Sequence, residues 1–113
     1  MISRLAQSLS FEVHHRSHRR MTAVLSTVAR ALRCEFTPVE HPDLADASSA
    51  TLFGMHVLLG ALTSEGAGTT YVLRGETSGL TGQHTEYIDL SPHVAGLLVH
   101  GAGHWEPARD GRA

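Results

Sequence analysis

His14 and His18 stand four residues apart, and so do His100 and His104. There are nine histidines in 113 residues, and each is a candidate metal ligand or proton carrier. On a helix, His14 and His18 would share one face. His100 and His104 flank Gly101-Ala102-Gly103, a stretch unsuited to a helix. A metal centre needs three or four converging ligands, and spacing alone supplies pairs. No HExxH or CxxC is present, and Cys34 is the single thiol. If a centre forms, its ligands are His56, His84, His100 and His104 in the mouth of a sheet, with Glu76 or Glu86 as acid or base. A divalent metal is the one cofactor this pattern suggests. The ordinary reading of the histidines is as solvated polar residues.

The second candidate is the run HHRSHRR, containing His14, His15, Arg16, His18, Arg19 and Arg20. Arginines offer bidentate contacts to phosphate, and neighbouring histidines add charge at low pH. Residues 1–33 carry a net charge of plus five and residues 34–113 a net charge of minus seven. Such a split implies that something anionic lies against the first third: the acidic part of the same chain, a second copy, or a polyanion. The overall charge of −2 and the few aromatics disfavour a dedicated nucleic-acid binder. The ordinary reading is a solvated helix face paired with Glu65, Glu76 or Glu86, within the fold or across a dimer. Trp105 beside His104 could stack on a ligand or plug one end of the sheet. Tyr71 and Tyr87 read as cross-strand neighbours. The absence of lysine removes Schiff-base chemistry and a Walker-type phosphate lysine. Ser64, Ser78 and Ser91 lack a nucleophile context, and no strand–GxGxxG–helix order occurs.

Two fragments resemble known families. LLVHGAGHWE (97–106) resembles the C-terminal strand and catalytic-histidine loop of α/β-hydrolases, which would make His104 a base. The chain has no GxSxG elbow and is too short for that fold. TTYVLRGE (69–76), followed by a later strand and GAGHW, resembles the strand rhythm of cupins. The cupin histidine cluster would fall on TSEGAG, which has only Glu65. Neither fragment assigns a family.

The elements that must carry these residues read as follows. Met21, Val24, Leu25, Val28 and Leu32 have helical spacing, with Arg30 and Arg33 in the last turn. Upstream, Ile2, Leu5, Leu9 and Val13 form a second stripe, which predicts a helix from about residue 3. The competing reading is a short strand over 11–16, alternating Phe11, Val13 and His15 before a new helix. It places His18, Arg19 and Arg20 at a helix N-terminus, where cations are unfavourable, so the helical reading is preferred. Residues 35–40 contain Pro38 and suit at best an edge strand; 41–49 is a turn-rich connection. TLFGMHVLLGAL (51–62) is a long apolar strand bent at Gly54 and Gly60. Residues 64–68 are a hairpin loop, 69–76 a strand, 78–83 a loop, 84–90 a strand and 93–100 the last strand.

The expected fold is therefore α+β: an N-terminal amphipathic helix, one long or two short, packed on an antiparallel meander of about four strands. It forms a single domain over 1–113, with 1–33 helical and basic and 50–106 an acidic antiparallel sheet. Exposed edges invite pairing with a second copy. The expected function is a small binding or accessory domain acting through a protein partner or self-association. A histidine metal site is the alternative, and nucleic-acid contact through HHRSHRR the second. The composition suggests a GC-rich, bacterial source, and one cysteine fits a reducing cytoplasm. No apolar run approaches a membrane span. The Arg- and Ser-bearing opening is also compatible with a transit peptide.

Overall fold

The computed structural model describes residues 6–62, 68–77 and 85–108. Its first element is a strand, β1 (Ala6–Ser17). There follow α1 (Met21–Leu32), β2 (Thr37–Pro38), β3 (Ala45–Leu52), β4 (Met55–Ala61), β5 (Thr69–Thr77), β6 (Thr85–Asp89), α2 (Ser91–Leu98) and β7 (Glu106–Pro107). The described strands form one seven-stranded sheet in the order β2-β3-β4-β5-β1-β6, with β7 also pairing β1. Every pairing is antiparallel except β1 with β6, which is parallel.

The α+β class stands, but the expected N-terminal helix and four-strand meander do not. Leu9 and Val13 lie four apart, and four is compatible with both a 3.6 and a 2.0 period. Phe11 between them decides: only a strand puts 9, 11 and 13 on one side, and Phe11 and Val13 are buried there. Phe11 lies across Gly75 of β5, its partner in register. A Cβ at Gly75 would sit 2.1 Å from the Phe11 ring. Because β1 lies between them, β5 and β6 are not neighbours. Tyr71 instead pairs in register with His15, and Tyr87 with Ser8. Ile2 and Leu5 lie outside the described residues.

The segment 93–100, expected to be the last strand, belongs mostly to α2. Pro92 suits the first helical turn, where a missing N–H costs nothing. Val94 and Leu98 then fall one turn apart and are buried. The long run 51–62 is also two strands rather than one. Phe53 and Gly54 form a two-residue turn between β3 and β4, with φ of 49° and 77°. Two positive values in succession are the pattern of a type I′ hairpin turn.

Both helices pack on one face of the sheet. Val24, Val28 and Leu32 of α1 and Val94 and Leu98 of α2 meet Val13, Val57, Leu59 and Leu73 in a single core. The helix expected over Met21, Val24, Leu25, Val28 and Leu32 is thus present. Arg30 lies in its last turn, and Arg33 ends it in a left-handed conformation. β2 is an edge strand, as Pro38 requires. On the other face a second cluster, Leu44, Ala47 and Val72, covers one corner. No described helix is long and apolar enough to cross a membrane.

Candidate functional site: the uncovered face of the sheet

Strand alternation divides β1 between two surroundings. Leu9, Phe11, Val13 and His15 point toward the helices; Ser10, Glu12, His14 and Arg16 point the other way. Opposite Glu12 in register stands Arg74 of β5. Its Nε donates to Glu12 Oε1 at 2.7 Å, and His14 Nε2 lies 3.0 Å from Glu12 Oε2. The carboxylate is therefore held between two basic side chains. All three are about one-third exposed, at 37%, 37% and 34%. An ion pair with that exposure contributes about 1 kcal/mol or less. What the arrangement offers is a fixed pattern of charge, not stability.

The network continues through the backbone. The Glu12 N–H donates to Ser91 Oγ at 2.9 Å. Ser91 Oγ in turn donates to Asp89 Oδ1 at 2.5 Å, and the Ser91 N–H donates to the same oxygen at 2.9 Å. These two bonds favour the ionised form and hold the Asp89 carboxyl below the usual aspartate range, against a smaller opposing effect of burial. Residues 39–41, between β2 and β3, rim an open basin of about 840 Å³ over the sheet. His56, Leu58, Arg74 and Glu76 line it. His56 and Glu76 are register partners on β4 and β5, and both are exposed.

The histidines expected to ligate metal are scattered. His56 lies in the basin, and His100 is exposed in the turn after α2. His104 is exposed beside Glu106, with Nε2 3.1 Å from its Oε1. His84 lies outside the described residues, as does Glu65. Among the described residues no group of three His, Cys, Asp or Glu is placed to hold a metal ion. Cys34 is half-buried, and burial pushes its thiol above the ordinary cysteine value.

The HHRSHRR run is divided rather than gathered into a patch. His14 and Arg16 belong to the uncovered face. His15 stacks on Trp105, with ring centroids 4.9 Å apart and planes inclined at 23°. Its Nδ1 is 2.6 Å from the His104 carbonyl oxygen. Trp105 is 2% exposed, and its Nε1 donates to the Ala102 carbonyl. One face of its ring is thus taken by the protein's own histidine. His18, Arg19 and Arg20 are exposed in the link to α1. There the Arg19 N–H donates to Ser17 Oγ at 3.0 Å, and the Tyr71 hydroxyl donates to the Arg19 carbonyl.

Glu12 and Arg74 are the central residues that sequence reading did not single out. They are 62 positions apart, and only strand pairing joins them. A faint signal exists in hindsight: Glu12 is the lone acid of β1 and Arg74 the lone arginine of β5. No protein-family model, curated protein or solved structure matches the chain.

Proposed function

We propose that this protein is a binding domain that acts by contact with a protein partner, and that the contact surface is the uncovered face of the sheet. The observation that carries this reading is the Arg74–Glu12–His14 network at the centre of that face. A central strand has charged groups on one side only when that side is not part of the molecule's own core. Their geometry is set in advance by register, so a partner meets oriented charges and loses little entropy in ordering them. Charges of this kind contribute mainly to specificity and to the rate of encounter. The basin beside them has the concavity needed to receive a protruding side chain or loop.

The test uses a photo-reactive amino acid introduced at Ser10 or His56, on the face, and at Ser26, on the exposed side of α1. Irradiation in a lysate of the source organism is expected to give discrete adducts from the first two positions. Glu12→Arg should abolish them. An adduct with twice the chain mass identifies the partner as a second copy. Adducts from Ser26 alone, or none from the face, would refute the reading.

A further inference from the structure

The charge at the uncovered face is one-sided. Four carboxylates line the basin, those of Glu12, Glu40, Glu76 and Asp89, against a single guanidinium, that of Arg74. Arg74 is already engaged with Glu12, as is His14. Among the described residues no cation pairs with Glu40, Glu76 or Asp89, and all three are exposed. Arginines from the basic third of the chain lie elsewhere. Arg19 and Arg20 sit in the link to α1, and Arg30 and Arg33 belong to the end of that helix, which packs on the opposite face. The negative excess of the basin is therefore not neutralised by the described residues.

Strand register fixes where these carboxylates stand. Glu76 and Asp89 are both register partners of Ser10, one on each side of it. They share its face, with backbones about 10 Å apart across the intervening strand. His56 continues the row on the far side of Glu76. Asp89 is held in orientation by the two bonds from Ser91 to its Oδ1. Leu58 and Val39 give the basin an apolar wall beside this row.

We infer that the protein partner meeting this face inserts an arginine into the basin, its guanidinium reaching Glu76 and Asp89 over Ser10. The assignment rests on the face being a contact surface and adds the chemistry of what meets it. A guanidinium suits the row better than an ammonium does. It is planar, carries five donors that can serve two carboxylates at once, and is the more weakly hydrated of the two. Its methylene stem packs on apolar surface such as the basin wall. Two copies of this chain meeting face to face would set carboxylate against carboxylate, which is costly. The arginine therefore belongs to a different protein.

The probes are tetra-arginine amide, tetra-lysine amide and tetra-glutamate, titrated at low salt into the isotope-labelled full chain and followed by nuclear magnetic resonance. Tetra-arginine is expected to shift the amide signals of Ser10, His56, Glu76 and Asp89 and to leave those of α1 in place. Tetra-lysine should bind more weakly and tetra-glutamate not at all. Glu76 makes no ion pair among the described residues, so substitution there leaves the fold intact. Glu76→Gln should weaken tetra-arginine binding by about twofold to fivefold, and Glu76→Arg should abolish it. Glu35→Gln, at an exposed acid outside the basin, should change nothing. Equal binding of tetra-lysine, shifts confined to other surfaces, or indifference to Glu76→Arg would overturn the inference. Photo-adducts at Ser10 and His56 separate this failure from failure of the contact surface. Adducts that persist undiminished in Glu76→Arg, or that have twice the chain mass, would leave the surface standing and remove the arginine of a different protein.

Discussion

Gly75 shows how much one missing side chain decides here. Phe11 crosses the sheet directly over it, and any Cβ would lie well inside contact distance of the ring. Both residues sit on strands paired on both sides, where the backbone has little room to yield. Gly75→Ala is therefore expected to destabilise the protein by about 1–3 kcal/mol, the usual range for overpacking. Urea denaturation would show this as a lower midpoint at unchanged slope. An unchanged midpoint would mean that Phe11 is not pinned as described. The pairing of Phe11 with Gly75 could not be read from the chain, because nothing local to either residue indicates that they are 64 positions apart yet touching. Glu12 and Arg74, one register step away, were hidden for the same reason.

At the scale of elements, period alone misled in two places and succeeded in a third. α1 was legible because five apolar residues fit a helix and no strand alternation fits them. The β1 stripe was ambiguous, since spacings of four satisfy either period. α2 was ambiguous because HVAGLLVH is short, apolar and β-branched, which suits a buried strand equally well. Pro92 at its start was the discriminating signal. Gly96 tests this element. It lies on the exposed side of α2, and a Cβ there meets nothing within 4 Å. Gly96→Ala should therefore stabilise by about 0.5–1 kcal/mol through helix propensity alone. A loss of stability in thermal or urea melts would argue that the segment is not helical.

For the molecule as a whole, the Asp89–Ser91–Glu12 chain of hydrogen bonds ties three elements together. Asp89 ends β6 at the sheet edge, Ser91 begins α2, and the Glu12 N–H belongs to β1, the strand next to that edge. Asp89 has its pKa lowered in the folded state, so it binds a proton less readily there than in the unfolded chain. Its contribution is present above the ordinary aspartate range, near pH 4, and is lost as pH falls through the lowered value. Urea midpoints at pH 7 and pH 3 should fall further for wild type than for Asp89→Asn. Equal losses would show that this carboxylate does not couple β6, α2 and β1.

Composition and local pattern determined the α+β class, α1, the edge character of β2 and the strands at 69–77 and 85–89, because each depends on contacts or propensities a few residues long. The order of the strands was decided only by tertiary structure. So were the parallel seating of β6 beside β1, the division of HHRSHRR between two faces and the meeting of Glu12 with Arg74. Those outcomes rest on pairings across dozens of residues, where register sets which side chains share a surface. A chain read one window at a time carries no record of that register.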